Sequence, residues 1–209
     1  MVPKHINCPS CGAGHDITNP GIVTIVCEYC DNAIYWDAEK VRSAGEQSIL
    51  PEGFSRLYRG ATGRLKNRRF FVMGRVRYSF GSGFWDEWFL EFSDGGIAWL
   101  TEENHEFALE KRARAKNLPP MDRLSPGTQL TVKGIPFVIE EVGRAECLGM
   151  EGDLPIAVES GETYAFADGS SPDGKNSLGL EFDRDPPVLY LGQWLRYEDI
   201  RMDDEGTDW

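Results

Sequence analysis

Phe84-Trp85-Asp86-Glu87-Trp88-Phe89-Leu90-Glu91-Phe92, followed by Ser93-Asp94-Gly95-Gly96 and Ile97-Ala98-Trp99-Leu100, decides the fold class. Side chains alternate across a strand, so Phe84, Trp88, Leu90 and Phe92 share one face and Trp85, Glu87, Phe89 and Glu91 the other. Asp-Gly between two such runs is a hairpin turn. The same texture extends in both directions. Phe70 to Tyr78 alternates after Met73, and Tyr164–Gly169, Ser177–Phe182, Val188–Gly192 and Trp194–Tyr197 are short strand candidates separated by turn residues. One segment departs from this pattern: Asn104 to Lys116, rich in Ala, Leu, Lys and Arg, reads as a short helix, stopped by Pro119-Pro120.

The second half repeats the first weakly. Gly127 opens it as Gly60 opens the first, and Phe137-Val138-Ile139-Glu140-Glu141-Val142 echoes Phe71-Val72-Met73-Gly74-Arg75-Val76 with three identities in six positions. The expected fold is mainly β, with residues 54–201 forming a β-sandwich or barrel-like domain of two related halves, about 54–118 and 124–201.

Ahead of this domain, Cys8, Cys11, Cys27 and Cys30 form a C-x2-C-x15-C-x2-C pattern. Two such pairs, brought together by a hairpin, place four thiolates around one ion, and this ligand set favours zinc, with iron in a rubredoxin-like arrangement as the alternative. Gly21–Val26 and Ala33–Trp36 supply the hairpin strands, so residues 1–38 read as a zinc ribbon too small to fold without its metal. Four thiolates leave no open coordination position, so the Zn2+ is structural. His5, His15 and His105 are not needed as ligands, and Cys147 reads as a small buried hydrophobe. Residues 39–53, with Ser43–Ser48 at the centre and Pro51-Glu52-Gly53 at the end, read as a linker, and residues 202–209 as a solvated acidic tail.

The net charge of −12 is unevenly spread. Residues 1–50 carry three basic and six acidic groups, so the ribbon is acidic and a nucleic-acid partner is disfavoured. Arg56, Arg59, Arg64, Lys66, Arg68, Arg69, Arg75 and Arg77 are uninterrupted by acid, whereas from Glu140 onward eighteen acidic groups face five basic ones. The basic stretch is expected to pair with the acidic half across one sheet. No apolar run approaches the roughly 18 residues of a membrane span, and Met1–His5 does not read as the start of a secretory signal. Paired C-x-x-C motifs then fit a reducing cytoplasm.

No complete catalytic constellation is present. Gly60–Lys66 has glycines near a lysine but no helix to follow. In Trp85-Asp86-Glu87-Trp88 the adjacent carboxylates point to opposite faces, which precludes a working acid–base pair. They read as solvated acids on a half-buried strand. The protein is therefore not expected to be an enzyme.

Trp85-Asp86-Glu87-Trp88-Phe89-Leu90-Glu91-Phe92 with Asp94-Gly95-Gly96 and Trp99-Leu100 resembles the signature of the bacterial domain of unknown function 4178. Gly127, the Glu141-Val142-Gly143-x-Ala145 segment, Tyr164 to Asp168, and Tyr190 to Gln193 extend the likeness over about residues 54–201, and the Cys8-Pro9-Ser10-Cys11-Gly12 ribbon is similar to one that often precedes that domain. The resemblance implies no catalytic residue. Its genomic associations imply a protein-interaction adaptor in an envelope or membrane-stress response, bound to a membrane-remodelling or membrane-stress protein and peripheral at the inner membrane. Arg64, Lys66, Arg68, Arg69, Trp85, Glu87, Trp88 and Trp99 are the candidate interaction surface. Two rivals come from other classes: a nucleic-acid-binding zinc-ribbon protein using Arg56 to Arg77, and an enzyme or binder of a small cationic molecule such as a polyamine, using an acidic pocket in the second half. Inward-facing carboxylates in one concave site would favour the last.

Overall fold

In a computed structural model, residues 4–36, 41–46, 50, 55–81, 83–183 and 186–204 are described. The strands run β1 (Lys4–Asn7), β2 (Gly14–Ile17), β3 (Thr24–Val26), β4 (Asn32–Trp36), β5 (Val41–Glu46), β6 (Thr62–Leu65), β7 (Arg68–Phe80), β8 (Gly83–Phe92), β9 (Ile97–Glu103), β10 (Glu106–Ala113), β11 (Gln129–Val132), β12 (Ile135–Leu154), β13 (Thr163–Ser170), β14 (Asn176–Glu181), β15 (Val188–Leu195) and β16 (Ile200–Met202). Single 3-10 turns occur at Met121–Arg123 and Tyr197–Asp199. No helix among the described residues is long and apolar enough to cross a membrane.

Hydrogen bonding runs β7-β8-β9-β10-β15-β14-β13-β12 and returns from β12 to β7, a closed antiparallel ring. Closure leaves no free edge on the ring strands. The closing seam joins Gly74 to Gly152. A Cβ on Gly74 would lie 2.6 Å from Glu151 O and 2.9 Å from Asp153 O, closer than side-chain carbons approach backbone. The expectation of a barrel-like β domain is met.

The two halves are related, but not in the register of the sequence identities. Gly60 N donates to Val72 O at 2.9 Å and Gly127 N to Ile139 O at 2.8 Å, and both long strands bulge just beyond, between Val72 and Gly74 and between Ile139 and Glu141. These correspondences pair Phe70 with Phe137 and Val72 with Ile139, one residue away from the Phe71/Phe137 match. A one-residue slip exchanges the faces of a strand. Phe70 and Phe137 are both buried, whereas Phe71 is exposed. Each half builds an outer core on equivalent residues: Leu57, Leu65, Phe70 and Val72 in one, Leu124, Val132, Phe137 and Ile139 in the other.

The helix expected over Asn104–Lys116 is β10 instead. Asn104 and His105 adopt φ of 49° and 66°, making the two-residue hairpin turn between β9 and β10. Helix propensities differ by only tenths of a kcal/mol per residue. Pairing with β9 on one side and β15 on the other decides the outcome.

The ribbon continues the barrel sheet: β3 pairs with the end of β12 at Asp153–Ile25 and Leu154–Thr24. Thr24 Oγ1 donates to Ile156 O at 2.5 Å, and Tyr35 OH donates to Val158 O. Within the segment read as a linker, Val41–Glu46 pairs with β4. Gln47, Ser48 and Pro51–Gly53 lie outside the described residues, as do Glu205–Trp209 of the tail.

Among the described residues, four of the eight basic groups of this stretch form ion pairs with acids. Arg69 binds Asp203 at 2.8 Å and Arg75 binds Glu151 at 2.9 Å, as the charge asymmetry suggested, but Arg68 binds Asp94 and Arg77 binds Asp86 of its own hairpin. Asp86 is 4% exposed, not solvated, and takes two bonds of 2.7 Å from Arg77 with Arg75 at 3.7 Å. Asp203 also accepts from Thr62 at 2.8 Å, so the tail begins docked. Removing one partner of a buried pair strands the other charge, which costs about 3–5 kcal/mol. Arg77→Met should therefore lower the urea midpoint by the equivalent of about 3–5 kcal/mol, and Arg77→Met with Asp86→Leu should regain most of it. Equal loss in the single and double variants would contradict this assignment.

Candidate functional site

Two sites stand out. In the first, the turns after Cys8 and Cys27 are alike. Gly12 N donates to Cys8 O at 2.9 Å and Asp31 N to Cys27 O at 2.8 Å, with Gly12 and Asp31 at φ of 81° and 52°. The two knuckles turn their sulfurs inward. Cys8 and Cys30 Sγ lie 3.7 Å apart, as do Cys11 and Cys27 Sγ, and all four atoms fall within 4.8 Å of one another. Sulfurs bound at about 2.3 Å in a tetrahedron sit roughly 3.8 Å apart, so the set fits one metal ion. Burial works against the Cys8 thiolate, but amide hydrogen bonds from Cys11 and Ser10 outweigh it and bring the thiol down to about 7. Burial dominates at Cys27 and pushes it up to about 12. His15 is not in this group, and among the described residues no other group of three or more His, Cys, Asp or Glu could hold a metal. Cys147 is buried, its thiol pushed up to about 12 by that burial.

The second site is the inside of the ring. Registered pairs place Glu87 beside Thr101, Trp99 beside Glu110, and Gly179 beside Asp168. Alternation then turns Trp85, Glu87, Trp99, Glu110, Tyr164, Phe166 and Asp168 toward one cavity of about 330 Å3. Its wall contains eight acidic residues (Glu87, Glu103, Glu106, Glu110, Glu140, Glu141, Asp168, Glu181) and, among the described residues, no Lys, Arg or His. Aromatic rings interlock around it, with Trp85 5.4 Å from Phe166 and Phe89 5.2 Å from Trp99, centroid to centroid.

The acids differ in what they touch. Glu110 accepts hydrogen bonds from Thr101 Oγ1 at 3.0 Å and Ser177 Oγ at 2.8 Å, and Glu87 accepts one from Trp85 Nε1 at 3.1 Å. Asp168 has no hydrogen-bond or ion-pair partner among the described residues. Protein surrounds it inside the ring, yet its side chain is exposed to the cavity and not sealed from solvent. Burial lifts the Glu87 carboxyl to about 8, with the Glu181 charge adding to it. Burial, then the charge of Glu110, holds Asp168 well above the carboxylate range, and burial also raises Glu110. Tyr78 and Tyr164 are raised by burial, then by the charge of Glu87.

The candidate surface residues are therefore dispersed. Trp88 is sealed in the outer core, its Nε1 bonded to Glu102 at 3.0 Å. Trp85 and Trp99, 7% and 8% exposed, line the cavity with Glu87 and form no outer surface. Arg64, Lys66 and Arg69 are exposed, and Arg68 is half-buried on Asp94. The acidic cavity is not confined to the second half: Glu87, Glu103, Glu106 and Glu110 come from the first. Glu110 escaped notice because its strand read as a helix. Asp168 left a usable trace, since Tyr164, Phe166 and Asp168 share one face opposite Ala165, Ala167 and Gly169.

No curated protein and no solved structure matches this chain. The family model described as "Domain of unknown function (DUF4178)" matches residues 59–197, from the Gly60 turn through β15 and so across the whole ring. The chain belongs to the DUF4178 family.

Proposed function

We propose that the barrel is a binding module that holds a small organic cation, a protonated amine or polyamine, inside the ring. The supporting observation is the aromatic-lined cavity inside the ring, with eight acids and, among the described residues, no basic side chain on its wall. Carboxylates held out of water demand either protonation or a cation. Trp85, Trp99 and Tyr164 offer ring faces to an ammonium group, an attraction of roughly 0.5–2 kcal/mol each. The acids do not converge as a metal-ligand set, which favours a ligand carrying its charge on a molecular frame. The buried positions of Trp85, Trp88 and Trp99 weigh against an adaptor surface built on them. We further propose that Cys8, Cys11, Cys27 and Cys30 hold a structural Zn2+ that fastens the ribbon to β12.

Fluorescence of Trp85, Trp99 and Trp194 should respond saturably to simple alkylammonium ions and not to the corresponding alcohols. Glu110→Gln or Asp168→Asn should weaken binding by about tenfold or more, the value of one charge-assisted contact. Unchanged affinity in both variants would overturn the reading.

Stability should carry the same signature. A carboxyl raised from an ordinary value to about 8 in the folded state, as at Glu87, favours folding below its unfolded pKa. That contribution is lost as pH rises through about 8. The ligand-free protein should thus melt lower at about pH 9 than at about pH 6, and an amine should restore much of the difference. A melting temperature that rises over this window without ligand would count against buried protonated acids.

Metal analysis should find one zinc per chain. Stripping it should expose the amides of β3 and β4 to rapid hydrogen exchange while β8 and β9 stay protected. Iron in its place, or a ribbon indifferent to chelation, would contradict the zinc assignment.

A further inference from the structure

A second cavity of about 480 Å3 adjoins the acidic one, and the two share Glu87, Trp99, Tyr164, Glu181 and Tyr190 as lining. The two cavities meet at these shared side chains. The walls differ in kind. The second chamber is faced mainly by Tyr78, Phe89, Ile97, Ile156, Val158 and Val188. Its remaining acids are already engaged: Glu162 accepts from Glu159 N at 3.0 Å, and Asp183 accepts from Ala165 N at 2.6 Å and faces Arg144. Lys111 and Arg112 also border this chamber, so its charged groups carry both signs. Ile156 and Val158 are fixed by hydrogen bonds from Thr24 and Tyr35 of the ribbon, so this wall is held in place.

A charge-bearing chamber joined to an apolar chamber matches a ligand with one charged end and one apolar body. We infer that the ligand is a single-headed amphiphilic amine, its ammonium group among Glu87, Glu110 and Asp168 and its hydrocarbon or aromatic body against Phe89, Ile156 and Val158. This inference rests on the organic-cation reading and narrows it. A linear polyamine would have to place a second ammonium against Phe89, Ile156 and Val158. The single-headed amine leaves only carbon there.

The test is a calorimetric series on the zinc-loaded full chain, from methylamine to n-octylamine, with 1-octanol and 1,8-diaminooctane as controls. Affinity should climb by roughly fourfold per added methylene until the second chamber is full, the fold-change equivalent of about 0.8 kcal/mol per buried CH2. The diamine should bind about tenfold or more weaker than octylamine, because its far ammonium must be desolvated against apolar side chains. A flat series, or a diamine tighter than the monoamine, would overturn the amphiphile inference while leaving the cation reading standing. Absence of binding by every amine, or octanol binding as tightly as octylamine, would overturn the cation reading and this inference with it.

Discussion

The seam between β7 and β12 is the constraint on which the rest of the molecule depends. Backbone meets backbone there at Gly74 and Gly152, with no room for a Cβ on Gly74. Once that seam closes, the alternation of side chains along each ring strand acquires an inside and an outside. Glu87, Glu110 and Asp168 then face the inside of the ring because of their parity, and no local preference of their own places them there. The same closure turns Trp88, Phe70 and Val72 outward, where Leu57 and the β6 and β16 strands cover them.

Two buried electrostatic environments lie back to back across β8. On the outer face Asp86 is met by Arg77 and Arg75, and charge is balanced within hydrogen-bond reach. On the inner face Glu87, one residue along, accepts a hydrogen bond from Trp85 Nε1 and lies near the acids Glu181 and Glu110. Adjacent carboxylates on one strand thus have opposite fates. The outer one is bonded by its arginines and contributes to the fold. The inner one is pushed toward its protonated form by burial. Uncompensated acids in an enclosed space are costly to stability, and such groups cluster where function requires them.

Much of the architecture was legible in the chain. The Trp85–Leu100 hairpin, the strand-rich second half and the cysteine ligand set follow from alternation, turn residues and spacing, each of which acts locally. What could not be read depends on contacts distant in sequence. The closing of β7 on β12 joins residues some seventy positions apart, for example Gly74 and Gly152, and nothing in either strand announces the other. The helical composition of Glu106–Ala113 was outweighed by partners on both sides. The related halves were visible, yet the identities at Phe71 and Val72 pointed to a register one residue from the structural one, because bulges and glycine turns set register more firmly than side-chain likeness. The cavity was the least legible feature. Its acids come from β8, β9, β10, β12, β13 and β14, and each alone reads as a solvated group on a strand.

The account stands on carboxyl groups that are enclosed and lack a cation in the ligand-free protein. Carbon-13 NMR of the Glu87 side-chain carboxyl, assigned with a Glu87→Gln variant and followed through a pH titration, measures this directly. The expected result is a midpoint near 8 in the ligand-free protein that falls toward the ordinary range when an alkylamine is bound. A midpoint near 4 without any ligand would show that Glu87 is solvated and would contradict the account.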